Sequence, residues 1–325
     1  YLRLLFEMKI VFAGTTPFSA FHLDLLIKSK NEVAAVLTQP DRKSGRGKNL
    51  KPSPVKTFSE KEGLQVIQPK SLKNNTEVIE GLKAINPDLI LVVAYGLILP
   101  PEIINLPKFG CINVHASLLP RWRGAAPIER SILEGDSKGG ITYMKMDEGL
   151  DTGPIMKLLP CAFDEDEDSG TLEKKYQNLS KVELISFLGD LAEGGVKEVN
   201  QDSELATYAE KIEKQETEIL WEQESAECIE RKIRALFPKY GAFTFFGDKR
   251  IKILNSTKAK ISHLLSPGEI SAEGGALYVG CQNNQSLRLQ SLQVEGKNPV
   301  SAEDFTKGNA EKIFQIKKFS SSLEN

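Results

Sequence analysis

Asp88-Leu89-Ile90-Leu91-Val92-Val93-Ala94 places an unbroken apolar run after a single aspartate. A short run without alternation predicts a strand covered on both faces, as in a parallel sheet. Outward from it, strand and helix patterns take turns. Met8 to Ala13 predicts a strand ending at Gly14, Phe18 to Lys28 a helix, and Glu32 to Thr38 a second strand. Pro54 to Glu62 predicts a helix, Gln65 to Ile67 a short strand, and Thr76 to Ile85 a helix. Downstream, Cys111 and Ile112 open another buried strand, Gly139 to Met146 reads as a further one, and Leu172 to Leu191 as a long helix. Such alternation defines a doubly wound α/β domain. Ligands in these folds sit beyond the carboxyl ends of the strands. Gly14, Ala94-Tyr95-Gly96 and Asn113 to His115 all reach that position.

The 325 residues allow about two domains. Lys197 to Thr217 is polar and charged, with only Leu205, Ala206, Tyr208 and Ile212 able to pack, and reads as a linker. Beyond Ile219 short strand-like runs recur at 241–246, 250–254, 268–270, 276–281 and 286–294, the spacing of a small β-barrel or sandwich. The expected division is therefore 8–196, a linker 197–217, and 218–318. Tyr1 to Glu7 precede a natural start at Met8 and are expected to lie outside the fold. Cys111, Cys161, Cys228 and Cys281 are widely spaced, which speaks against a disulfide framework and for a reducing, cytoplasmic setting. No apolar run approaches the ~20 residues of a membrane helix, so no membrane partner is expected. The formal net charge of −2 does not advertise a nucleic-acid binder, and any basic surface must be local.

The chemistry concentrates in Asn113-Val114-His115-Ala116-Ser117-Leu118-Leu119-Pro120. Side chains two apart on a strand point the same way. Asn113 and His115 thus present an amide and an imidazole together at a strand end. An amide can donate to a developing oxyanion, and an imidazole can exchange a proton near neutral pH. That pair suits acyl or formyl transfer. Asp151, between Gly149 and Gly153, is either a turn-former bonding its own backbone or a partner that orients His115. Spacing alone leaves both open.

Asn113 to Pro120, followed by Arg121-Trp122-Arg123-Gly124-Ala125-Ala126-Pro127 and Gly149-Leu150-Asp151-Thr152-Gly153, resembles the methionyl-tRNA formyltransferases, within the formyltransferases that use 10-formyltetrahydrofolate. The resemblance runs from about Met8 to the region of Ile316. It implies a Rossmann-like formyltransferase domain followed by an OB-like barrel. It implies Asn113, His115 and Asp151 as catalytic residues. Ser117, Leu118, Leu119 and Pro120, with Val93, Ala94, Tyr95 and Gly96, would wall the folate site. The acceptor would be initiator methionyl-tRNA, and no metal is called for. We expect a monomer. One departure concerns Gly14-Thr15-Thr16-Pro17-Phe18, where the family has Gly-Thr-Pro-acidic-Phe; the local backbone there is open.

Gln39 to Lys51 is too long and too basic for a routine strand–helix connection. Alone it would read as a solvated loop. In tRNA formyltransferases a matching loop enters the acceptor stem, which implies tRNA contacts for Arg42, Lys43, Arg46, Lys48 and Lys51. Arg231, Lys232, Arg234, Lys239, Lys249, Arg250, Lys252, Lys258 and Lys260 face only Asp248 in sequence and could form a second basic flank. His22 and His263 read as structural. A sugar-nucleotide formyltransferase is the alternative enzyme, sharing Asn-x-His and the aspartate but needing no basic loop. A catalytically silent RNA-binding relative is the third reading, disfavoured by the intact Asn113, His115 and Asp151. The absence of Gly-x-Gly-x-x-Gly after the first strand disfavours dinucleotide binding.

Overall fold

The alternating runs resolve into a sheet of seven strands in a computed structural model that describes residues 7–44, 49–260 and 264–321. The chain passes through β1 (Lys9–Gly14), α1 (Pro17–Ile27), β2 (Glu32–Leu37), β3 (Arg42–Ser44), β4 (Asn49–Lys51), α2 (Pro54–Lys61), β5 (Val66–Ile67), α3 (Thr76–Ile85), β6 (Leu89–Val93), α4 (Pro101–Ile104) and β7 (Cys111–His115). It continues through β8 (Arg123–Gly124), α5 (Pro127–Glu134), β9 (Lys138–Lys145), β10 (Ile155–Ala162), α6 (Ser169–Ala192) and β11 (Tyr208–Ala209). The sheet order is β10-β9-β7-β6-β1-β2-β5. β7, β6, β1, β2 and β5 run parallel, and β9 and β10 add antiparallel. The chain reverses its direction of travel across the sheet between β1 and β6, so the ligand crevice is expected at their carboxyl ends.

The helices start where the sequence supplies caps. Thr16 accepts from the Ser19 amide in a capping box, and Pro17 occupies the first turn of α1. This accounts for the shifted proline: the second threonine serves as the cap. Ser53 and Asn75 cap α2 and α3 in the same manner. β6 is buried along its whole length, and Val11, Ala13, Leu37, Ile90, Val92 and Ile103 join one apolar cluster around it. Each valine, leucine or isoleucine among them contributes ~1.5–3 kcal/mol on burial.

Three features go beyond the sequence reading. The basic loop is framed by a two-stranded ribbon, with Arg42 opposite Lys51 and Lys43 opposite Leu50. β10 was not foreseen, because Lys157 and Pro160 interrupt its pattern; it is an edge strand, where a proline costs no ladder bond. The stretch read as a linker is structured in its first part. Val199 exchanges two 2.8 Å backbone bonds with Ile155, and β11 pairs in parallel with β8.

By its contacts the chain forms two units: residues up to 127, 138–162 and 173–209 make the first, and residues 128–137, 163–172 and 210 onward the second. The second unit holds α7 (Ala226–Leu236), β12 (Ala242–Phe246), β13 (Lys249–Ala259), β14 (Ile270–Glu273), β15 (Ala276–Cys281), β16 (Gln285–Val294), β17 (Val300–Ser301), α8 (Ala302–Gly308) and α9 (Ala310–Ile316). Its sheet runs β12-β13-β16-β15-β14. Residues 317–320 then join the two free edges. Ser320 exchanges 3.0 Å bonds with Phe245 of β12, while the Phe319 amide donates to Gly268 and the Ile270 amide to Lys317 beside β14. The sheet thereby closes into the expected barrel. Phe319 is fully buried and stacks on Trp221 with ring centres 6.0 Å apart, so the packed region extends past residue 318. α7 was read only for its charges, yet Ala226, Ile229, Ile233 and Leu236 form a buried helical stripe.

Candidate active site

β7 enters the crevice with Asn113 level with Val92 of β6 and His115 level with Thr142 of β9. Cys111 begins this strand, and burial pushes its thiol up to about 12, which keeps it an inert packing group. At the strand's end Asn113, His115 and Asp151 come together. The Asn113 amide donates to Asp151 Oδ1 at 3.1 Å, and the Gly124 backbone N–H donates to Oδ2 at 2.9 Å. His115 is 5% exposed; its Nδ1 lies 3.6 Å from Asp151 Oδ2, beyond hydrogen-bond range but within that of an ion pair. Its Nε2 lies 2.8 Å from the Trp122 carbonyl, which can only accept, so the proton resides on Nε2 in this contact. Each ring nitrogen faces an oxygen.

The backbone around these groups is unusual. Asp151, Trp122 and Ala94 all have positive φ, at 52°, 64° and 43°. Non-glycine residues adopt this region at a cost, and such positions gather at functional sites. Gly153 is required by close approach, since a Cβ there would lie 2.0 Å from the Lys145 carbonyl oxygen. The Asp151 carboxylate is turned to Asn113, Gly124 and His115.

The residues expected to wall a folate site divide into two sets. Ala94 and Gly96 are exposed, and Leu118 and Pro120 are half-buried. The others serve the scaffold. Val93 is buried and its carbonyl accepts from Ser19 Oγ at 2.6 Å. The Tyr95 ring is in the core, and its carbonyl takes Thr15 Oγ1 at 2.8 Å and Gln39 Nε2 at 2.9 Å. Ser117 Oγ donates to the Arg121 carbonyl at 2.6 Å, and the buried Leu119 donates its amide to Thr142 Oγ1 at 3.0 Å. Most of these residues lie in the loops that follow β6 and β7, where the buried ones serve hydrogen bonds and packing.

Sequence reasoning missed Gln201 and Thr207. Gln201 reaches Arg123, Asp151 and Gly153, and Thr207 Oγ1 accepts from the Trp122 amide at 2.9 Å. No local pattern marks them, because their partners lie 48 to 85 positions away in the chain.

On the basic ribbon, Arg42 is exposed and bonds Gln39 Oε1, and Lys51 is exposed. Lys43 is placed here by its backbone alone. Arg46, Lys48 and His263 lie outside the described residues. The second basic flank is largely neutralised. Arg231 pairs with Glu227 at 2.7 Å, Arg234 binds Glu230 through two nitrogens, Lys232 pairs with Glu224, and Lys239 with Glu129 at 3.2 Å. Glu224 comes from the acidic stretch that precedes α7, Glu227 and Glu230 from the helix's own i−4 positions, and Glu129 from α5, so a count along the sequence does not reveal the pairing.

The sequence and the fold both have known counterparts. Residues 8–188 match the family described as formyl transferase, and residues 211–310 match its C-terminal domain. HypX from Aquifex aeolicus, solved with tetrahydrofolic acid, superposes with a TM-score of 0.65 at 16% identity over 96% of this chain and 49% of its own. The chain thus spans about half the length of HypX. WlaRD, a sugar 3N-formyl transferase solved with dTDP and 5-N-formyl-THF, gives a TM-score of 0.65 at 17% identity, over 90% of this chain and 100% of its own. An N-formyltransferase from Helicobacter canadensis, in complex with folinic acid and dTDP-3-aminofucose, gives 0.65 at 16% identity, over 87% and 99%. At these identities the superpositions speak for the fold, while the two sequence-family matches together take in most of the chain, which belongs to the formyl transferase family.

Proposed function

We propose that the protein transfers the formyl group of 10-formyltetrahydrofolate to the α-amino group of methionine on initiator tRNA. The observation that carries the reading is the meeting of Asn113, His115 and Asp151 at the end of β7. The folate supplies a formyl group activated on nitrogen. Ala94 and Gly96, exposed after β6, and Leu118 and Pro120, half-buried after β7, would contact the flat pterin. Attack by a neutral amine places negative charge on the formyl oxygen. Asn113 spends one amide hydrogen on Asp151 and keeps the other for that oxygen. His115 assists the movement of the amine proton; the tetrahedral intermediate then collapses, breaking the bond between the formyl carbon and the folate nitrogen, which takes up a proton and leaves as tetrahydrofolate. Asp151 orients both.

Two observations favour a methionyl-tRNA acceptor. Arg42 stands directly opposite Lys51 on the ribbon, a like-charge pair that is unfavourable until an anion such as a phosphate backbone joins it. Leu150 and Tyr208, which adjoin site residues along the chain or across a strand pair, are 61% and 58% exposed and would suit an apolar thioether side chain. A nucleotide-linked amino sugar is the second reading, favoured by the near-complete coverage of the two sugar formyltransferase structures.

The test supplies 10-formyltetrahydrofolate with charged initiator tRNA, and separately with dTDP- and UDP-linked amino sugars. Formylmethionyl-tRNA as the preferred product supports the proposal; preference for a sugar replaces it with the second reading. Asn113→Ala and His115→Ala should each cost at least ~10²-fold in single-turnover rate without lowering the melting temperature. A folded variant that keeps more than about a tenth of the parent rate would remove its residue from the mechanism. Replacing Arg42 and Lys51 together by alanine should raise KM for tRNA, leave KM for the folate unchanged, and flatten the salt dependence by ~0.9 in log–log slope per lost phosphate contact, the B-form value.

A further inference from the structure

Gln201 lies in the polar stretch between the two family matches, yet its side chain joins the Arg123 guanidinium to two backbone carbonyls of the Asp151 turn. Its Oε1 accepts from Arg123 Nε at 3.1 Å and Nη2 at 2.9 Å. Its Nε2 gives its hydrogens to the Asp151 carbonyl at 2.8 Å and the Gly153 carbonyl at 2.7 Å. Arg123 is 2% exposed and directly precedes Gly124, whose N–H holds Asp151 Oδ2. The contacts close a ring: Arg123 to Gly124, Gly124 to the Asp151 carboxylate, the Asp151 carbonyl to Gln201, and Gln201 back to Arg123. Asp151 also carries a left-handed backbone, at φ 52°, which aspartate visits more readily than most residues but which still costs more than the right-handed one. Something must hold that conformation, and Gln201 grips the carbonyls on either side of Thr152.

We propose that Gln201 is a positioning residue for formyl transfer, fixing the Asp151 turn so that one carboxylate meets Asn113, His115 and the Gly124 amide together. This rests on the role given to Asp151 above. Gln201 touches no reacting atom in this scheme, and its effect passes through Asp151. A misplacement of about 1 Å in such a group can cost ~10²-fold in rate.

Steady-state formylation of the acceptor identified above, against donor concentration, tests this with Q201A, Q201E, D151N and the double variant Q201A/D151N. Q201A should lower kcat about tenfold or more and leave KM for 10-formyltetrahydrofolate within about twofold. Q201E keeps oxygens for Arg123 but sets a second oxygen against two carbonyls, so it should be at least as slow as Q201A. An anchor acting on Arg123 alone would leave Q201E near the parent rate and overturn the proposal. In the D151N background, Q201A should add less than about twofold, because both changes act through one group. Full additivity would also overturn it. Should Q201A fail to fold by circular dichroism, Q201M keeps the side chain's length without its hydrogen bonds and is read in its place. D151N at the parent rate would remove the role of Asp151 itself; a slow D151N with a fast, folded Q201 variant would remove only that of Gln201.

Discussion

The Asp151 carboxylate gathers three neighbours from two strands, Asn113 and His115 from β7 and Gly124 from β8. Asn113 and His115 were legible because a strand's two-residue period puts them side by side whatever the rest of the fold does. Asp151 was half legible, since glycines on both sides fit a turn and a catalytic loop equally. Gln201 was not legible at all: a glutamine in a polar stretch carries no signal until its partners are known. His22 is a different case, read as structural and placed fully buried on α1, with Nδ1 2.8 Å from the Phe18 carbonyl. Desolvation holds its pKa down to about 4, against a smaller opposing effect of that bond. The unfolded chain then takes up a proton near pH 6.5 that the folded chain refuses until about pH 4. Stability is therefore complete above about pH 6.5 and falls as the pH drops toward 4, by about 3 kcal/mol in all. Chemical denaturation of the parent and His22→Leu across this window should show a shallower fall in the variant. Equal slopes would mean that His22 is accessible to protons in the fold.

Among the elements, strands buried on both faces and capped helices were read within a residue or two, because apolar continuity and Ser, Thr or Asn caps are local signals. β10 escaped because an edge strand tolerates proline and lysine. The ribbon escaped because β3 and β4 span three residues each. The turn from β9 to β10 depends on backbone contact that no side chain announces. Gly153 lets its chain pass against the Lys145 carbonyl, and the Lys145 amide bonds the Pro154 carbonyl at 3.0 Å. Gly153→Ala must push these strips apart and shift the carbonyl that Gln201 holds. We expect a loss of ~1–3 kcal/mol in stability together with slower formylation. Thermal melts and single-turnover rates on the same preparation check this. A variant that melts and turns over like the parent would show that the turn has room the geometry denies.

For the whole molecule, a doubly wound domain and a second β domain, barrel or sandwich, were foreseen from the shift in strand spacing near residue 219. The closure of the barrel was not, because residues 317–320 have no strand pattern and act by bonding two edges. Phe319 fills the junction, against Trp221 and Phe246. Phe319→Ala should cost ~3–5 kcal/mol. Denaturant unfolding followed by Trp221 fluorescence should show an earlier transition, and an unchanged midpoint would mean that the sheet closes without this side chain. The second unit is also written in three separate passages of sequence. Arg130 binds Glu216 through two nitrogens at 2.6 and 3.0 Å, and Ser169 Oγ reaches the Phe237 carbonyl at 2.6 Å. A gene recombined at a single point between residues 173 and 209 would draw these partners from different parents. The barrel is therefore not a cassette that one crossover can exchange: heredity must carry residues 128–137 and 163–172 along with it, and variation in any passage is tied to variation in the others.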